Sequence, residues 1–201
     1  MKLKISLVFA AMAWMLMMAQ RPSPDANVIE FTKDNQLLLP RNYREWIFLS
    51  AGLGMTYGPA ADENRDRGPM FENVFVNPVS YQSFLATGKW PDKTMLMLEI
   101  RSSVSKGSIN NAGHYQGEVV AVEANVKDSS RFDGNGWAFF AFGQSKTGRL
   151  IPKSGECYTC HKQKGAVDNT FVQFYPTLLK VAKEKGTLNP AYVSASAAEG
   201  H

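Results

Sequence analysis

Cysteine is almost absent from this chain of 201 residues: there are two, Cys157 and Cys160, and only three histidines. So few thiols exclude the multi-bridge framework of small disulfide-rich secreted domains. Long apolar runs are equally scarce. The best candidate, Ile5 to Ala19, is shorter than the roughly 20 residues a spanning helix needs, and no later stretch is apolar for as long. Charge of one sign is not concentrated anywhere either. The formal net charge is +4, but the lysines and arginines are scattered, without a basic stripe or helix face, which speaks against a nucleic-acid partner. No internal repeat is visible.

What is present begins with a leader. Met1-Lys2-Leu3-Lys4 sets two positive charges ahead of the apolar run, the pattern of an export signal. Cleavage is expected after Ala19. Met17, at position −3, is larger than the small residue usual there, so an uncleaved amino-terminal anchor stays open. Residues 28–187 are then expected to form a single domain of ordinary size, and 188–201 a flexible tail.

Within that domain the spacing of Tyr43, Trp46, Ile47 and Ser50 predicts a helix over 41–50, ended by Gly52 and Gly54. Phe71 to Val76 reads as a strand. Asn77-Pro78 marks a helix start, with Tyr81, Phe84 and Leu85 as its apolar stripe and Gly88 as its end. Thr94 to Arg101 is a second strand, and its run Met95 to Leu98 suggests burial on both faces. Tyr115 to Val126 and Gly136 to Phe142 are further strands. Lys146 to Glu156 is loop-like. A last amphipathic helix runs from Phe171 to Ala182, capped by Asp168 or Asn169 and kinked or broken at Pro176. Consecutive strands joined by short turns favour an α+β fold, an antiparallel β-sheet with flanking helices.

The chemistry is concentrated in Cys157-Tyr158-Thr159-Cys160-His161. This C-x-x-C-H sequence reads as attachment of a c-type haem. Two intervening residues set the thiols about one helical turn apart, within reach of neighbouring vinyl groups on one porphyrin. The next residue can then project its imidazole toward the iron, so His161 is the expected metal ligand. Three other readings compete. A zinc site needs a fourth ligand, from His114, His201 or a carboxylate. A redox dithiol normally sits in the strand-to-helix turn of a βαβ unit, which the preceding loop does not resemble. The pair could also form a disulfide. The export signal favours haem, because c-type haem is attached outside the cytoplasm.

The other face of the iron decides what such a haem can do. No methionine follows His161. Met55, Met70, Met95 and Met97 lie upstream, where methionine is commonly core filler, and His114 could make a bis-His site. The alternative is an open or water-bound position walled by apolar side chains.

Leu37-Leu38-Leu39-Pro40-Arg41-Asn42-Tyr43-Arg44-Glu45-Trp46 resembles the opening of the cytochrome P-460 family. Phe75-Val76-Asn77-Pro78, Thr87-Gly88-Lys89-Trp90, Glu123-Ala124-Asn125-Val126-Lys127-Asp128-Ser129, Gly136-Trp137-Ala138-Phe139 and Phe174-Tyr175-Pro176 carry the likeness across residues 30 to 185. The resemblance implies a mainly antiparallel β fold with flanking helices, a periplasmic location, a homodimer, one covalent haem c and His161 as its proximal iron ligand. It also implies a division within the family. Members that oxidise hydroxylamine cross-link a lysine to the porphyrin, and Leu98 stands at that position here, without an amine. Lys89, Lys93 and Lys106 flank the strand. The chain thus resembles the cross-link-free cytochrome c′-beta branch, whose members bind nitric oxide and carbon monoxide at an apolar distal face. Phe71 and Phe75 are the candidate cap of that face, with Leu98 on the same wall. Such a pocket is expected to supply no general base.

The expected function is therefore a periplasmic mono-haem cytochrome that binds nitric oxide or a similar diatomic, or transfers electrons to a partner protein. A hydroxylamine or nitrogen-oxide oxidoreductase is the alternative, disfavoured by Leu98, and a six-coordinate electron carrier is the second.

Overall fold

The computed structural model describes residues 29–56 and 68–198. The leader expected at residues 1–19 lies outside the described residues. Among those described, no helix is long and apolar enough to cross a membrane.

Seven strands make one antiparallel sheet: β1 (Leu37–Leu38), β2 (Ile47–Leu53), β3 (Met70–Val76), β4 (Thr94–Val104), β5 (Tyr115–Lys127), β6 (Trp137–Gly143) and β7 (Thr147–Leu150). They lie in the order β1-β7-β6-β5-β4-β3-β2. Four helices flank it: α1 (Pro78–Thr87), α2 (Glu156–Lys164), α3 (Pro176–Lys185) and α4 (Pro190–Ala198). This is the α+β architecture expected from sequence.

Side chains alternate between the faces of a strand, and β4 shows what that does here. Met95 and Met97 enter a core with Tyr43, Trp46, Val122, Phe140 and Phe142. Leu96 enters a second core on the other side, with Phe84, Trp90, Trp137, Val172 and Leu178. The continuous apolar run of this strand is thus buried on both faces, as its composition predicts. The second core is roofed by α1 and α3, and its helix-bearing side also carries the candidate site.

The start of α1 falls at Asn77-Pro78 and its end at Gly88, whose φ of 71° only glycine adopts readily. Asn77 does not spend its side chain on the helix terminus. Its Oδ1 accepts from the Met95 N–H at 2.9 Å and its Nδ2 donates to the Lys93 carbonyl at 3.1 Å. The residue therefore latches the helix start to β4.

Four stretches differ, wholly or in part, from their sequence expectation. The helix expected over 41–50 is a single 3-10 turn, Tyr43–Glu45, followed by β2. Tyr43 and Trp46 carry the spacing, and one 3-10 turn satisfies an i, i+3 pair. The strand then gains main-chain partners along β3, from Ile47↔Val76 to Leu53↔Phe71. The final helix is broken at Pro176, one of the two outcomes expected there, but it starts later than expected: Val172–Phe174 is a 3-10 turn, and α3 begins with Pro176 at its first turn, preceded by Tyr175 and not by Asp168 or Asn169. Where a flexible tail is expected, residues 190–198 form α4. Part of the loop expected before the motif forms β7, which pairs with β6 and β1.

Candidate functional site

Cys157, Cys160, His161 and Lys164 recur on α2 at i, i+3, i+4 and i+7, so one face of this short helix presents all four side chains. They line one wall of a cavity of about 450 Å³, within the range of ligand pockets, about 300–1,000 Å³. The helix is docked by its third residue: the Tyr158 hydroxyl accepts the Phe139 N–H at 3.2 Å, and the two rings meet edge to face.

His161 is held in one orientation and one tautomer. Its Nδ1 lies 2.8 Å from the Asn169 carbonyl oxygen. A carbonyl only accepts, so the proton sits on Nδ1 and the Nε2 lone pair is free. Phe139 and Phe171 flank the ring at centroid distances of 4.6 and 4.2 Å. Burial pushes its pKa below the usual histidine value, against the opposing effect of the Asn169 hydrogen bond. The imidazole is therefore neutral at neutral pH, the form that binds a metal.

The opposite wall is the sheet. Leu98 pairs with Val74 on one side and with Glu123 on the other, and all three line the cavity with Leu96, Asn125 and Phe139. Gly52 and Met55 border its edge. The Met55 thioether folds over Gly52, where an added Cβ would meet Sδ at 2.5 Å.

Of the residues expected at the site, Cys157, Cys160, His161 and Leu98 come together around this cavity. Phe71 and Phe75 do not. They share the parity of Asn73, opposite to Glu72, Val74 and Val76, so the pleat turns them to the far face. There Phe75 packs on Tyr43 and Phe48 at 5.9 and 5.6 Å. Among the methionines considered, Met70 and Met95 do not line the cavity. Met97 borders it, but its side chain is fully buried in the far core. His114 is exposed at the β4–β5 hairpin, bonded to Ser103. Lys89, Lys93 and Lys106 are not among the lining residues, and Lys93 is paired with Asp128.

Glu123 is the feature that the sequence did not reveal. The expectation of a pocket without a general base is corrected by it. Burial raises its carboxyl pKa above the usual value, and it makes no hydrogen bond or ion pair among the described residues. Its only signal in the sequence is its position in β5, out of phase with Val122, Ala124 and Val126.

The donor set fits a covalently bound haem. The two thiols are free of each other, they face the same apolar cavity, and burial, then the neighbouring Glu123 charge, raises the Cys157 pKa. Among the described residues no group of three or more His, Cys, Asp or Glu side chains is placed to hold a bare metal ion, so the zinc reading has no assembled ligand set. The sheet wall, the histidine and the thiol pair define a class: a β-sheet domain with a pocket for a c-type haem. The family profile described as cytochrome P-460 matches residues 40–172, more than half of the sequence. This chain belongs to the cytochrome P-460 family. Membership implies a c-type haem, and proteins of the family are typically periplasmic. No match was found among curated proteins.

Proposed function

We propose that this chain is a periplasmic mono-haem cytochrome of the cross-link-free kind. Haem c is attached through Cys157 and Cys160, His161 is the proximal iron ligand, and the face toward the sheet binds nitric oxide or a similar neutral diatomic. Bound haem supplies an iron centre that takes up a gas molecule or one electron. The observation that carries the reading is Leu98 on the sheet wall between Val74 and Glu123. An aliphatic side chain there has no amine for a porphyrin cross-link, and a largely apolar wall disfavours charged ligands, which are costly to desolvate. Phe139 and Phe171 hold the imidazole plane, and the Asn169 carbonyl holds its proton. A homodimer and an electron-transfer partner are part of the proposal by resemblance to the family.

Spectroscopy of the purified ferrous protein tests it. A high-spin spectrum that shifts on adding nitric oxide is the expected result. Low-spin iron indifferent to nitric oxide overturns the gas-binding reading in favour of a six-coordinate carrier.

One observation favours a second reading, an oxidoreductase acting on hydroxylamine or nitrogen oxides. Glu123 supplies a carboxyl group inside the same cavity, its pKa raised by burial, and a carboxyl so placed can accept or return a proton. Turnover of hydroxylamine by wild type, abolished in E123Q, supports this reading, and absence of turnover in wild type removes it.

A further inference from the structure

The acceptor that fixes His161 is a main-chain carbonyl, so its position depends on a loop. That loop, residues 165–170, is tied down from a segment beyond the stretch that matches the family profile. The Asn189 N–H donates to the Ala166 carbonyl at 2.8 Å. Its side-chain Nδ2 donates to two more carbonyls, Gly165 at 2.6 Å and Asp168 at 2.9 Å. One amide group thus holds both ends of the turn whose next carbonyl receives the His161 proton. Asp168 sits at φ 50°, in the left-handed region, which aspartate adopts more readily than most non-glycine residues, and these bonds fix it there. Lys127 adds an ion pair to the Asp168 carboxylate at 3.0 Å. Asn189 is itself fixed, because its carbonyl accepts from Val193 in the first turn of α4.

We propose that Asn189 is a positioning residue for the haem iron: by holding the 165–170 turn it sets the strength of the Asn169–His161 hydrogen bond, and with it the electron donation of His161 to the metal. The proposal rests on the haem reading above. A firm acceptor at Nδ1 makes the imidazole more basic, strengthens its bond to iron and favours the ferric state. Changes to such outer partners typically cost about 10- to 100-fold in metal affinity.

The test uses the full haem-loaded chain with N189D, N189A and T187V. Aspartate keeps the shape of asparagine but offers oxygens, not hydrogens, to the two carbonyls. Thr187 donates to the Gly88 carbonyl at 2.7 Å in the neighbouring segment and touches neither the loop nor His161, so T187V controls for simple destabilisation. Resonance Raman of the ferrous protein and a redox titration are read for each. N189D and N189A are expected to lower the iron–histidine stretching frequency and raise the midpoint potential, while T187V lowers thermal stability and leaves both unchanged. The titration serves in either ligation state, and N189D keeps the question open to measurement if N189A does not fold. Unchanged frequency and potential in N189D, or equal shifts in N189D and T187V, overturn the proposal. Wild type purified without covalent haem overturns the haem reading, and this inference with it.

Discussion

Glu99 on β4 and Glu123 on β5 are near neighbours in one sheet, yet the pleat sends them to opposite faces. Glu99 is 2% exposed and fully engaged. The Tyr43 hydroxyl donates to it, Arg44 meets the same oxygen at 2.5 Å, and Arg101 meets the other at 2.5 Å. Burial alone would push its pKa up, but these donors outweigh burial and hold it below the usual carboxylate range. The same arrangement raises the Tyr43 pKa, through burial and the Glu99 charge. Glu123 has the burial without the donors, and its pKa moves the other way. One residue type, on adjacent strands and one register position out of step, is a structural tie on one face and an available acid on the other. What separates them is whether the surrounding elements supply partners, which the residue alone does not specify.

The largest effect expected on breaking this contrast is at Glu99. E99L should cost about 3–5 kcal/mol, since a partner of a buried charge cluster is lost. Denaturant unfolding measures it, and the absorption spectrum with nitric oxide should not change. Met97 and Leu98 repeat the comparison in consecutive residues. Met97→Ala empties the far core and should cost about 2–5 kcal/mol with no spectral effect. Leu98→Ala should cost less, because its side chain borders a cavity, and should alter the spectrum of the nitric oxide complex. Equal spectra for the two variants would contradict the assignment of faces.

Acid sharpens the contrast further. The folded pKa of Glu99 lies below its unfolded value of about 4.3. Its contribution is therefore complete above that pH and lost as pH falls toward the folded value. Thermal midpoints of wild type and E99Q should differ at neutral pH and converge in acid. Parallel curves would mean that Glu99 is not the group responsible. Glu123 carries the opposite sign. The folded protein holds its proton more tightly than the unfolded chain does, so ionisation above the raised pKa opposes folding. E123Q should leave neutral-pH stability equal or slightly higher, by less than about 1 kcal/mol, the smallest change of the set.

The strands β3 to β6 and helix α1 are legible in the sequence because their alternation, runs and punctuating residues agree. The C-x-x-C-H motif is legible because its spacing, taken with the export signal and the family likeness, favours haem over the zinc, dithiol and disulfide readings. The register is not. Phe71 and Leu98 both read as apolar strand residues, and only the pairing of β3 with β4 shows that they face opposite ways. β2 is misread because Tyr43 and Trp46 imitate a helical period that ends after one turn. The helix α4, built from Ala, Ser, Tyr and Val, has little amphipathic contrast to betray it, and Asn189 at its threshold carries no local signal at all.

The last residue of β7 is Leu150, and the first cysteine of the C-x-x-C-H motif is Cys157. Among the described residues every strand of the sheet thus precedes the motif along the chain. The sheet wall and the thiol-bearing helix are therefore contributed by successive stretches of chain, and α3 and α4 close the fold from the carboxyl end.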